Sequence, residues 1–265
     1  MLHQLFTEPT TLGIAQAVVT GALAIAVMLL NAWQGIHLER QTLIALARGL
    51  VQILIVGMVL TLLLGGPGWV SPLVLLGMTI AATSITGRRA RGIPGAFTVA
   101  LVSIGVGAGA VIVLMSLVGV IDVGINGLIP IGSMIIANAQ ITSAQAIERF
   151  RADVAARVGQ LEAALALGAA PAVSVAPIVQ AAVAASMIPR IDSLSSLGIV
   201  WIPGLMAGMV LAGGNPTYAA LYQFVTVAMI YAASGLTALL SALLIRRRAF
   251  SAAEQLILRP AAEGK

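Results

Sequence analysis

Six uncharged polar or sulfur side chains set inside long apolar runs are best placed to do chemistry: Gln52, Met134, Asn138, Gln140, Met206 and Met209. Met134 and Asn138 stand four apart and so share one face of a helix. An amide without a partner is costly in hydrocarbon, so Asn138 and Gln52 are expected to face protein or water. Thioethers favour soft metals such as Cu(I) over ferrous iron. The apolar runs carry no carboxylate, so tight coordination of a bare hard cation is not expected. A weakly bound, complexed or neutral cargo moved by alternating access suits these donors better. Each residue also has a plainer use, the methionines as adaptable packing and the amides as hydrogen bonds between helices. Gln52, Met134, Asn138, Met206 and Met209 are assigned to a translocation path, and no metal-ligand set is identified.

Other chemistry is excluded by what is missing. The lone Lys is Lys265, so the chain holds no Walker A loop, whose Lys must reach the nucleotide phosphates. The run from Gly105 to Ala110 fits a dinucleotide pattern but lies in an apolar stretch with no preceding strand, so close helix packing is its expected role. Cysteine is absent, and His3 and His37 are isolated from any carboxylate at metal-ligand spacing. No basic stretch is interleaved with aromatics, so no nucleic acid is expected as a partner. Asp122 and Asn126 border two apolar runs and read as solvated loop residues or as a contact for departing cargo. With 60% hydrophobic and 9% charged residues, there is no room for a sizeable soluble domain.

The elements that must position these residues are membrane spans. The uncharged stretches 9–36, 49–87, 92–121, 123–147 and 193–245 predict seven spans, near 12–35, 49–64, 71–87, 94–118, 125–145, 195–213 and 218–244. Turn clusters at Gly65-Gly66-Pro67-Gly68 and Gly213-Gly214-Asn215-Pro216 divide the two longest stretches. With seven spans every Lys and Arg falls on one side, in the loops after spans 1, 3 and 5 and in the tail. Such residues are retained in the cytoplasm, which places the N-terminus outside and the C-terminus inside. No basic segment precedes span 1, and the run is too long for a signal peptide, so span 1 is expected to be retained. The fold class is all-α: a polytopic membrane protein, one transmembrane domain over 1–265, with a cytoplasmic helical extension between helices 5 and 6.

That extension, about 146–192, is the most unusual region. Val154, Val158, Leu161 and Leu165 follow helical spacing, with Arg157 and Glu162 on other faces, so a helix should run out of span 5. Gly168 and Pro171 should stop it. The segment 172–188, broken by Pro177, Gln180 and Pro189, reads as a return helix packed on the first or as a partly embedded segment. The sequence Glu162-Ala163-Ala164, then Gly168 and Ile178, resembles the E-A-A loop of ABC-transporter permeases, although the closing leucine-proline is replaced by Val179-Gln180.

Further stretches sharpen this resemblance. Ala47 to Gly57, Ile129 to Ala139, Ile188-Pro189-Arg190-Ile191-Asp192-Ser193, Gly198 to Gly208 and Gly213 to Gln223 are similar to the motifs of the FetB family of permeases. The chain is identified as a member of that family over roughly residues 40–245. One departure is Ser195, where relatives often carry Lys. The resemblance implies a bacterial inner-membrane permease that exports iron or a related metal species. It implies a homodimer with a separate ATPase, which binds the ATP and magnesium, so this chain needs no cofactor of its own. Glu162, Ala163, Ala164 and Gly168 would belong to the helix that docks on that ATPase. The competing reading is a self-sufficient secondary carrier or channel, which would ordinarily place ionisable residues in its spans.

Overall fold

A backbone in hydrocarbon must satisfy its amides within its own segment, so long apolar sequence becomes long helix. The computed structural model describes residues 8–36, 39–64, 66–90, 93, 95–251 and 255–258. His3, His37, Gly65, Arg91, Arg259 and Lys265 lie outside them. The described residues form helices α1 Pro9–Trp33, α2 Glu39–Leu64, α3 Val70–Arg89, α4 Ala96–Leu117, α5 Ile125–Ala156, α6 Val158–Ala166, α7 Pro171–Ser174, α8 Ala176–Ser195, α9 Gly204–Leu211 and α10 Pro216–Arg248. Among the described residues, six helical segments are long and apolar enough to cross a membrane: Thr10–Trp33, Arg40–Val59, Val70–Arg89, Ala96–Leu117, Ile125–Ala156 and Pro216–Arg248.

The chain forms two compact units, Met1–Gly66 and Pro67–Lys265. In the first, a turn at Gly35, with φ +78°, follows α1, and α1 packs on α2. Large apolar side chains such as Leu23, Leu30, Ile53 and Leu54 are exposed on these two helices, as lipid-facing residues are.

In the second unit, contacts fix the direction of each helix. Ser143 shares a hydrogen bond of 2.8 Å with Ser241, and Ile147 and Ile245 pack together further along, so α5 and α10 run parallel. Gly107 of α4 abuts Thr237 of α10, while Gly95 abuts Arg248, so α4 runs opposite to α10. Ser103 of α4 lies 3.4 Å from the Ser143 hydroxyl, which completes a serine chain across three helices. Gly132 of α5 meets Leu75 of α3, and Thr86 lies beside Gln140, so α3 runs with α5. The described arginines 88, 89, 149, 151, 157, 246, 247 and 248 thus gather at one end of the bundle.

Helix α4 approaches α10 closely because Gly107 has no side chain. A Cβ there would meet Thr237 Oγ1, the Thr237 amide nitrogen at 2.9 Å and its Cα at 3.0 Å. Gly107→Leu should lower the thermal midpoint in detergent, by overpacking that costs about 1–3 kcal/mol or more. Gly105→Leu and Gly109→Leu, where nothing lies within 4 Å of an added Cβ, should leave the midpoint nearly unchanged.

The stretch 195–213, expected to be a single span, is not one. The return from the arginine-rich end begins much earlier, at α8, within the region expected to be a cytoplasmic extension. Its start, at Val175, Ile178, Val179 and Ala182, packs against Phe150 of α5 and Ile245 of α10. Pro189 lies inside α8 without ending it. A turn over residues 196–203 follows, with Gly198 at φ +76°, and then α9, whose eight residues span only about 12 Å. Hydropathy could not find this arrangement because Arg190 and Asp192 lower the mean of α8, while the apolar run after them is divided between turn and short helix. Gly204, Gly208 and Ala212 form a small-residue stripe whose spacing would allow tight helix approach. Instead an added Cβ at Gly204 or Gly208 would have nothing within 4 Å.

Candidate functional site: a cavity at a broken helix

The broken return leaves a cavity of about 160 Å³ in the second unit. Met134 and Asn138 of α5 line it, with Arg190 and Ser193 of α8, Trp201 and Pro203 of the turn, Gly204 and Leu205 of α9, and Gln223, Val227, Ile230 and Tyr231 of α10. Irregular backbone at membrane depth is tolerated where it lines such a cavity, and discontinuous helices in transporters commonly do so.

Arg190 was expected in a cytoplasmic loop and is instead set into the bundle. Its guanidinium donates to Asn138 Oδ1, and Asn138 Nδ2 donates to the Met134 carbonyl at 2.8 Å. Asn138 therefore faces protein, as its amide requires. Arg190 lies twelve residues beyond Ile178 and Asn138 twelve before Phe150, both buried at the arginine-rich end. At 1.5 Å per residue this sets the pair about 18 Å along the bundle from those two residues. Arg190 Nε is buried with no hydrogen-bond partner, and among the described residues no carboxylate pairs with this guanidinium.

The α9 side of the cavity is held by Gln223, 2% exposed, whose Oε1 accepts from the Met206 amide at 3.3 Å. Pro203 starts α9, so its first residues, Gly204 and Leu205, face the cavity at the helix N-terminus. That end of a helix carries partial positive charge. Beyond α9 the expected turn chemistry is present. Gly213 adopts φ +88°, and Asn215 Oδ1 caps α10 by accepting from the Thr217 and Tyr218 amides at 2.9 and 3.1 Å.

Of the residues assigned to the path, Met134 and Asn138 line the cavity. Met206 reaches its edge through its backbone, and the Met209 carbonyl accepts from Gly214 in the turn after α9. Gln52 is an exposed residue of α2, in the other unit. Sequence reasoning missed Arg190, Trp201 and Gln223 as site residues, although all three sit in stretches singled out by resemblance. Asp122 is exposed and accepts from the Gly124 amide at 3.0 Å, as a loop residue does at the start of α5.

A second feature stands at the arginine-rich end. α5 continues to Ala156, bends at Arg157 and leads into α6. The expected face is the buried one, with Val154 and Leu161 in the core, while Arg157, Glu162 and Ala163 are exposed and Ala164 is half-buried. Gly168, at φ +86°, ends the helix. Its amide donates to the Leu165 carbonyl at 2.9 Å, and the Ala169 amide donates to the Ala164 carbonyl at 3.0 Å, which forms a Schellman motif. Leu167, 89% exposed, stands at the tip of this knob. α8 is the return helix, packed against α5.

Residues 14–250 match the Uncharacterised protein family UPF0014. The chain is 30% identical over 253 residues to UPF0014 membrane protein STAR2 of Oryza sativa subsp. japonica, covering 95% of this chain and 88% of the relative. It is 33% identical over 225 residues to UPF0014 membrane protein YjkA of Bacillus subtilis, covering 82% and 88%. It is 28% identical over 236 residues to the Probable iron export permease protein FetB of Escherichia coli, covering 89% and 91%. No solved structure matches. This chain, whose described residues are nearly all helical with several membrane-length helices and which these proteins match along most of its length, belongs to the UPF0014 family of membrane proteins.

Proposed function

We propose that this chain is the permease subunit of an ABC transporter, exporting iron or a related metal species and driven by a separate ATPase. The observation that carries the reading is the α6 knob, which is short, stopped by Gly168, anchored through Leu161 and otherwise exposed. Such a surface can transmit ATPase closure to α5 and α8, between which it is tied. The relative named as an iron export permease supports the direction and the cargo. The chain works as a homodimer in a bacterial inner membrane, and ATP and magnesium are held by the two ATPase copies.

Seven crossings fit this reading, six by continuous helices and one by the broken α8–α9 return. The parallel course of α5 and α10 supports the seventh, since one crossing must bring the chain back between them. Arginines gathered at one end of the second unit support a cytoplasmic C-terminus, and an odd number of crossings then puts the N-terminus outside.

Co-purification tests the partnership. Reversing charge at Arg149 and Glu162 together should abolish capture of the ATPase while leaving the permease folded. Arg149 does pair with Asp153, with Nε 3.1 Å from its carboxylate, but such exposed pairs contribute only about 0.3–0.5 kcal/mol. Deletion of the gene should alter cellular iron content and metal sensitivity; no change in either would remove iron as the cargo. One observation favours the secondary-carrier reading, namely the ionisable Arg190 set against α5 in the cavity. Cargo movement by the purified permease down an ion gradient, without an ATPase, would establish that alternative.

A further inference from the structure

We propose that Arg190 recognises the cargo through an oxyanion, so that what enters this cavity is a carboxylate- or phosphate-bearing species, either free or as the anionic shell around a metal ion. The inference rests on the transport reading for the word cargo, and on the cavity for its chemistry.

Three observations converge. First, a half-buried guanidinium stands inside the bundle without a carboxylate partner among the described residues. A charge partly withdrawn from water is normally paired, because its desolvation cost is otherwise uncompensated. Asn138 supplies a neutral acceptor and no countercharge. Second, Nε is buried and unpartnered, so the fold itself leaves this guanidinium, which lines the cavity, incompletely satisfied. Arg forks match carboxylate and phosphate oxygens in two-point geometry. Third, the N-terminal end of α9 borders the same cavity through Gly204 and Leu205, adding positive potential to that of Arg190. The cavity, of about 160 Å³, has room for a small polar group in place of several waters.

A bare metal cation meets the wrong field here. It would face a guanidinium and a helix N-terminus, with only the neutral oxygens of amides, hydroxyls and backbone to compensate. A metal wrapped in an anionic chelator meets the right one. Iron therefore crosses, on this account, as part of an anion.

Trp201 lines the cavity and reports on it once Trp33 and Trp69 are replaced by Phe. The full chain in nanodiscs is titrated, at constant ionic strength, with inorganic phosphate, citrate, gallium citrate as an optically silent trivalent-metal complex, and zinc chloride as a bare cation. Saturable emission changes are expected with at least one of the anions and not with zinc chloride. Response to citrate or phosphate alone identifies a free anion, whereas response to gallium citrate alone identifies a metal complex. Arg190→Gln should weaken binding by about ten-fold or more, the loss expected for a charge-assisted hydrogen bond. Asn138→Asp supplies the missing countercharge without removing the arginine and should weaken binding similarly. Its elution as a monodisperse peak will show that the fold survives. Overturning results are no saturable response to any of the three anions, equal anion affinity in Arg190→Gln, or tighter binding of zinc chloride than of the anions by the parent protein. These readouts need no ATPase and no export, so they can fail while the ABC assignment stands, and the reverse.

Discussion

Exchanging Gly168 for valine will uncouple transport from ATP hydrolysis while leaving the helix bundle folded. An added Cβ at this position meets nothing within 4 Å, so the substitution creates no clash. Its whole effect is on the backbone, held at φ +86°. Residues other than glycine cost about 1–2 kcal/mol in the left-handed region, and a β-branched one is the worst case. The population of the native helix end should therefore fall by about 5–30-fold. α6 cannot absorb the loss, because nine residues are too few for a helix to persist without tertiary support and capping. Leu161 remains buried, so the root of the knob stays docked while the tip, with Leu167, loses its fixed position. Asparagine tolerates the left-handed conformation, so Gly168→Asn should retain most of the coupling. The measurement is cargo-stimulated ATP hydrolysis by the reconstituted complex, alongside the thermal midpoint of the permease alone. Full coupling in the valine variant would mean that α6 is not where the ATPase grips.

What could be read in advance followed from local rules. The α6 stop was legible because Gly168 and Pro171 close a periodic run, and the buried face was legible from Val154, Val158, Leu161 and Leu165. The turn before α10 was legible because Gly213, Asn215 and Pro216 occupy the positions that helix ends demand. The broken return was not legible. Hydropathy treats an arginine as a loop residue, yet Arg190 is held in the bundle by an amide fifty-two residues earlier, and no window along the chain contains both. Proline misled in the same direction. Pro189 signals a boundary in water, but helices in a membrane bundle run through proline when neighbouring groups re-satisfy the backbone. Asn138 could be placed toward protein from desolvation cost alone, whereas its partner was a fact of topology. The small-residue stripe on α9 failed for a related reason. Its spacing permits close approach, and which helix approaches is decided elsewhere, so the tight contacts fell at Gly107 and Gly132 instead.

The Asn138–Arg190 pair predicts a double-mutant cycle in which stability and transport part company. Asn138→Leu removes the acceptor and leaves a half-buried guanidinium whose Nε is already buried and unpartnered. A lost hydrogen bond to a charged group costs about 1.5–3 kcal/mol, and a stranded buried charge can cost more. The thermal midpoint should fall by about 5–10 °C for a chain of this size. Arg190→Met alone should cost far less, since it removes the charge, and Asn138 keeps its bond to the Met134 carbonyl. Combining the two should restore the midpoint to near that of the parent, with a coupling energy of about 1 kcal/mol or more, because neither remaining side chain then needs the other. If the pair served the fold alone, the restored double variant would transport again. If Arg190 meets the cargo, the double variant will be stable, will still capture the ATPase through α6, and will not transport. Export by a stable double variant would reduce Arg190 to a structural residue and leave the cavity without its recognising group.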